Sequence, residues 1–252
     1  MEHENTDPKI SFIIPAYNEA KNLPGCLQSI LDEIKKERVA AEVLVVNNAS
    51  TDDTRKAGEG FVGVRVLDEP RKGITFARQA GHRVSRGQLV ANIDADNRLP
   101  SGWLRKALSE FEKKPALVCL SGPLVYYDLP WFKRLVVWFY SRIVFLVYLL
   151  NHFVFRLGSV VQGGNFVVRR EALEKIGGFD TTIKFYGEDT DLARRLSHLG
   201  LVRFYLKFFI YSSGRRLAKE GVVLTGFRYV INYFSVVFRH KPATDKYTDI
   251  RS

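Results

Sequence analysis

The chain is poor in cysteine, methionine and acid. Of its 252 residues two are Cys (Cys26 and Cys119) and one is Met. Two thiols supply neither a disulfide framework nor a thiolate cluster, which fits a reducing compartment. His3, His82, His152, His198 and His240 are scattered, so the spacing of a zinc site is missing. The start, Met1-Glu2-His3-Glu4-Asn5-Thr6-Asp7-Pro8, has neither the basic opening nor the apolar run of a signal peptide, so export is not expected. No internal repeat or low-complexity tract interrupts the chain. Acidic residues number 27 against 38 Lys and Arg, a formal net charge of +11. Such a surplus calls for anionic partners: nucleic acid, phosphorylated substrates or acidic lipid headgroups. Hydrophobic residues at 46% and charged ones at 26% exclude wholesale disorder and allow one large α/β domain or two small ones.

Lys9-Ile10-Ser11-Phe12-Ile13-Ile14-Pro15 reads as a buried strand ended by Pro. Asn22-Leu23-Pro24 opens a helix whose apolar stripe is Leu23, Leu27, Ile30, Leu31 and Ile34. Glu42-Val43-Leu44-Val45-Val46, Val64-Arg65-Val66-Leu67 and Gln88-Leu89-Val90-Ala91-Asn92-Ile93 are further strands, and the spacing predicts a helix over 75–84. Strands alternating with helices imply a mostly parallel sheet covered on both faces, with ligands bound beyond the carboxyl ends of the strands. Tyr17-Asn18-Glu19, Asn47-Asn48 and Asp94-Ala95-Asp96 all follow strands directly.

Asp94 and Asp96 are two apart, so in extended backbone their carboxylates project to one side. Paired carboxylates suit a magnesium or manganese ion shared with substrate phosphates; the alternative is a solvated turn before Asn97 and Pro100. Glu188-Asp189-Thr190-Asp191 precedes Leu192, Leu196 and Leu199, a helical stripe with Gly200 as its stop. These acids could carry chemistry or could simply complement the helix dipole.

Taken in order, Pro15-Ala16-Tyr17-Asn18-Glu19, Asn47-Asn48-Ala49-Ser50-Thr51-Asp52, Asp94-Ala95-Asp96 and Gly187-Glu188-Asp189-Thr190-Asp191-Leu192 resemble the family 2 glycosyltransferases, inverting enzymes of the GT-A fold that use nucleotide-activated sugars. The likeness spans about 9–213. It implies a GT-A domain over 9–215, with a nucleotide-sugar-binding half (9–123) and an acceptor and catalytic half (160–215). It further implies that Tyr17 flanks the nucleobase, with Pro15 and Glu19 shaping the base and ribose pocket. Asn48 takes the position of a base-reading Asp, and Arg78 approaches the diphosphate. Asp94 and Asp96 form the DXD motif, with Asp96 the firmer ligand of the divalent cation; Asp189 is the general base, and Glu188 beside it is a substrate-binding residue. Gly164 and Asn165, in Gln162-Gly163-Gly164-Asn165, resemble the acceptor-side segment, although a bend before a strand explains them equally well. Arg215 and Arg216 could close over the diphosphate or form a solvated basic turn. Departures from the pattern are Asn47-Asn48 in place of an acidic pair, Gln79 where Asn is frequent, and no Gln-x-x-Arg-Trp after Asp189. The last favours single addition over processive synthesis. UDP-sugars are the favoured donors, with GDP- and TDP-sugars possible.

Two segments raise the question of a membrane. Residues 131–157 are dense in aromatics, and their charges (Lys133, Arg134, Arg142, Arg156) are all basic. The uncharged run 143–155 falls short of the ~20 residues that span a bilayer. Residues 222–240 form a helix with a narrow polar stripe of Thr225, Arg228, Asn232, Ser235 and Arg239. Such helices lie in the membrane interface, bury one another or pack on the sheet, or span the bilayer; charges of a single sign favour an anionic lipid surface. The expectation is a peripheral enzyme on the cytoplasmic face of the membrane, acting on a lipid-linked or glycan acceptor. A nucleotidyltransferase on a similar sheet is the competing enzyme reading, weakened by the lack of a Gly-rich triphosphate loop. A non-catalytic nucleotide-binding or membrane-surface protein is the third. Nucleic acid is not an expected partner, because the most aromatic segments are too apolar for a solvated groove.

Overall fold

The computed structural model describes residues 7–150, 160–183, 186–239 and 243–244. The acidic start 1–6, the second part of the apolar segment (151–157) and residue 240 lie outside the described residues.

The strands are β1 (Ile10–Ala16), β2 (Ala41–Asn47), β3 (Val64–Asp68), β4 (Leu89–Ile93), β5 (Leu117–Ser121), β6 (Leu124–Tyr126), β7 (Asn165–Arg169), β8 (Leu201–Phe204) and β9 (Ile210–Ser212). The helices are α1 (Leu23–Glu37), α2 (Thr54–Glu59), α3 (Ile74–Val84), α4 (Trp103–Lys113), α5 (Trp131–Leu150), α6 (Arg170–Lys175), α7 (Glu188–Ser197), α8 (Arg215–Glu220) and α9 (Val222–Arg239). Seven strands form one sheet in the order β3-β2-β1-β4-β7-β5-β8, and β6 pairs with β9 in a small second sheet. The main sheet is parallel except for β7, which runs antiparallel to both β4 and β5.

Both faces of the sheet are covered, which explains why its strands read as continuous apolar runs. Ile10, Phe12 and Ile14 point to the side of α1 and α4, where they meet Leu23, Leu27, Trp103 and Phe111. Ile13, Leu44, Val90 and Phe166 point to the other side, against Ala77 of α3 and Leu192 and Leu196 of α7. Trp103 is stacked on Phe208 with ring centroids 4.7 Å apart. β1 continues one residue past Pro15, which pairs with Val46; pairing with β4 has already ended at Ile13. The expected stripe on α7 is shortened. The helix ends at Ser197, and Leu199 lies beyond it and is exposed, because Gly200 instead packs tightly against the Ala116 carbonyl.

The register of β7 positions the site. Ile93, the last residue of β4, pairs with Asn165, the first of β7. An antiparallel neighbour begins where a parallel one would end. The turn before β7 therefore arrives at the same sheet edge as Asp94, although it lies some seventy residues further along the chain.

Candidate active site at the carboxyl edge of the sheet

Asp94 leaves β4 directly, and Gly164 presses against it. Gly164 has φ +78°, and a Cβ there would stand 2.3 Å from Asp94 Oδ2, so both the backbone conformation and the space require glycine. The neighbouring Gly163 N–H donates to Asp189 Oδ2 at 3.2 Å. Consecutive residues of one turn thus touch the first carboxylate of the Asp94–Asp96 pair and the carboxylate of Asp189. Asp189 itself stands in the first turn of α7, where Thr190 N–H donates to its Oδ1 at 2.8 Å. The helix starts after Gly187 (φ +84°), whose missing side chain admits Val236 of α9; a Cβ would lie 2.5 Å from Val236 Cγ2.

Arg78 ties these groups together. It is fully buried on α3, with Nη2 3.3 Å from Asp94 Oδ1 and Nη1 2.5 Å from Glu188 Oε1. Burial disfavours its charge, but Glu188 and Asp94 more than compensate, and it stays protonated. Burial pushes the Glu188 carboxyl up to about 7 against the pull of Arg78. Desolvation likewise lifts Asp189 above the ordinary aspartate range, opposed by the Gly163 N–H and Arg78. Asp191, by contrast, is paired with Arg194 (3.2 Å) and Arg195 (2.6 Å) within its own helix.

α3 also braces the segment between α6 and α7 at two points. Gln79 Oε1 accepts from Phe179 N–H at 2.8 Å, and Thr75 Oγ1 donates to the Ile183 carbonyl at 3.0 Å.

Three residues sit differently from their expected places. Arg78 presents no exposed surface to a diphosphate, because its guanidinium is committed to Asp94 and Glu188. Asn48 is buried: its amide donates to the Glu69 and Arg71 carbonyls (3.1 and 2.7 Å), and its oxygen accepts from Gly73 N–H at 2.8 Å. It fastens the 69–73 loop rather than offering a free amide to a base. Asn165 is fully buried, with Nδ2 bonded to the Gly122 and Phe208 carbonyls and Oδ1 to Trp103 Nε1; it joins α4 and β5 to the start of β7. Sequence spacing cannot separate an amide turned inward from one facing a ligand.

Tyr17 is half-buried after β1, with Lys72 Nζ 3.9 Å from its ring centroid. Pro15 stands two residues before it, still in the strand. Glu19 is buried and accepts from Asn22 Nδ2 at 2.8 Å. Arg215 reaches both Glu19 and Asp96, at 3.1 Å from Asp96 Oδ2, whereas Arg216 pairs with Glu220 at 2.8 Å. Asp128, not expected from sequence, accepts from Gly214 N–H at 2.6 Å and fixes the turn that carries Arg215. Its only sequence signal is its place in the Asp128-Leu129-Pro130 turn.

Among the described residues no three His, Cys, Asp or Glu side chains converge into a ready-made metal cage. Asp94 and Asp96 each lie against an arginine, so both carboxylates are already in cationic surroundings. Two carboxylates at a partly open edge suit an ion whose remaining ligands come from phosphates and water.

Residues 11–177 match the family model described as glycosyl transferase family 2, and residues 149–221 match one described as the N-terminal domain of galactosyltransferase. The chain belongs to glycosyl transferase family 2. It is 32% identical over 122 residues to a hyaluronan synthase of Pasteurella multocida, covering 47% of this chain and 12% of that one. It is also 32% identical over 110 residues to glycosyltransferase AglE of Haloferax volcanii, covering 42% and 36%. The chain therefore matches only a fraction of the length of these relatives. In fold it is similar to the Pyrobaculum calidifontis mannosyltransferase PcManGT, solved with GDP-Man and Mn2+ (TM-score 0.69, 20% identity, 93% of this chain and 65% of that one). It is likewise similar to Mycobacterium tuberculosis glucosyl-3-phosphoglycerate synthase, solved with Mn2+, UDP-glucose and phosphoglyceric acid (TM-score 0.62, 20% identity, 91% and 80%). The fold is of the GT-A type.

Proposed function

We propose that this chain transfers a single sugar, with inversion, from a nucleotide-sugar donor to a hydroxyl of a lipid-linked or otherwise membrane-held acceptor. The observation that carries the chemistry is the Gly163–Gly164 turn, which sets Asp94 and Asp189 on either side of one backbone corner. Asp189 takes the proton of the acceptor hydroxyl. The acceptor oxygen bonds to the anomeric carbon as the bond from that carbon to the diphosphate breaks, and a nucleoside diphosphate leaves. Asp94 and Asp96 would hold magnesium or manganese, which supplies charge neutralisation for the departing diphosphate. Tyr17 and Glu19 border the nucleoside, with the base met by the 69–73 loop that Asn48 fastens. Arg215 stands near enough to Asp96 to reach a diphosphate bound there. Support for the donor class comes from the family and from two relatives in fold that bind GDP- and UDP-sugars with Mn2+.

The assay is release of nucleoside diphosphate from a panel of UDP-, GDP- and TDP-sugars with Mn2+. We expect turnover with at least one donor and its loss on chelation, recovered by added Mn2+. Turnover that persists undiminished in chelator would defeat the role of Asp94 and Asp96.

The membrane reading rests on α5 and α9. No described helix is long and apolar enough to cross a bilayer. On α9, Thr225 and Asn232 of the polar stripe face inward, 0% and 1% exposed, whereas Phe227 is 62% exposed and Val230 and Ile231 are 38% and 39%. Asn232 bonds the Arg228 carbonyl and the 243–244 segment. This arrangement is the reverse of a water-facing helix. On α5, Trp131 is 77% exposed, and Phe132, Trp138 and Phe139 about half, beside Lys133, Arg134 and Arg142. Exposed apolar area with basic neighbours matches an anionic lipid interface. The protein should therefore float with anionic vesicles at low salt, and Phe227→Glu with Val230→Glu should reduce flotation several-fold without lowering Tm. Folded wild-type protein that stays at the bottom of the gradient would refute the docking.

A further inference from the structure

Arg215 stands where a cation is wanted. Its guanidinium is paired with Glu19 and lies 3.1 Å from Asp96 Oδ2. Burial works against that charge, and the two carboxylates outweigh it. The placement is held from both ends. Upstream, Asp128 accepts from Ser213 Oγ at 2.5 Å and from Gly214 N–H at 2.6 Å, and Gly214 packs so closely on Leu129 that a Cβ would lie 2.3 Å from its Cγ. Downstream, Glu220 joins Arg216 (2.8 Å) to Arg228 of α9 (3.6 Å), so α8 is tied to the next helix.

A guanidinium in contact with a carboxylate oxygen and a divalent ion on the same oxygen repel one another. We infer that Arg215 is an internal competitor for the metal position on Asp96, so that a divalent cation and a nucleoside diphosphate each make room for the other. A diphosphate offers Arg215 a stronger, bidentate partner and draws it off Asp96. That frees the carboxylate for the ion, and the coupling runs equally in both directions. The inference rests on Asp96 being a metal ligand, as proposed above.

The test is titration of the whole chain with Mn2+ alone, followed by the electron paramagnetic resonance of the free ion, then repeated with UDP. Arg215→Gln and Arg215→Ala should bind Mn2+ alone about three- to tenfold more tightly than wild type, the effect of removing one partly exposed competing charge. In both variants the gain in Mn2+ affinity caused by UDP should shrink. Unchanged or weaker binding of Mn2+ alone by both folded variants overturns the competitor. Asp96→Asn separates the two layers. If it binds Mn2+ as wild type does, the metal assignment itself falls; if it loses Mn2+ while the Arg215 variants behave as wild type, only the competition falls.

Discussion

Asp189→Asn should lower kcat by about 10²- to 10⁴-fold, the range for loss of a positioned general base, and leave donor binding within about threefold of wild type. The substitution keeps the size of the side chain and one acceptor oxygen, so one of the two donors, Gly163 N–H or Thr190 N–H, retains its partner while the other faces the amide NH2. What it removes is the capacity to take a proton. A base works only when ionised, and desolvation raises the Asp189 carboxyl above the ordinary aspartate range. The rate should therefore fall as pH drops through that raised value, so the acidic limb of kcat lies at higher pH than for an exposed aspartate. Full turnover in the Asn variant, measured as nucleoside diphosphate release with a donor that supports the wild type, would remove Asp189 from the chemistry.

The second large effect is on folding. Arg78→Met should destabilise the chain by about 3–5 kcal/mol, because Asp94 and Glu188 would be left facing one another without the charge that now separates them. Denaturation in urea measures it. Adding Glu188→Gln should recover part of the loss, because the second change removes one of the two stranded carboxylates; the double-mutant cycle isolates that coupling. A loss below about 1 kcal/mol for Arg78→Met would show that the buried cluster is held by packing rather than by the guanidinium. The two expected results differ in kind: Asp189→Asn should act on turnover, whereas Arg78→Met should act on stability through Asp94 and Glu188.

Much of the sheet was legible because its evidence is local. A strand buried on both faces has to be apolar throughout, and β1, β2 and β4 fall where such runs occur. Parallel strands send their carboxyl ends to one edge, so the residues following them belong together by sequence pattern alone. Asn48, Asn165 and Arg78 show where that logic stops. Each lies near the edge in question, but each turns its polar atoms into the protein, toward carbonyls and carboxylates that come from distant parts of the chain.

By itself, then, the sequence determined the α/β alternation, the placing of Tyr17, Asp94, Asp96 and Asp189 beside element ends, and the basic, aromatic character of α5 and α9. The tertiary structure alone decided that β7 enters antiparallel beside β4, which brings Gly163 and Gly164 between Asp94 and Asp189. It alone decided that Thr225 and Asn232 of α9 face inward and that Arg215 meets Asp96. The physical reason is common to all three. Periodicity specifies which side chains share a face, whereas what covers that face depends on strand register and helix docking, and these follow from contacts between residues far apart in the chain.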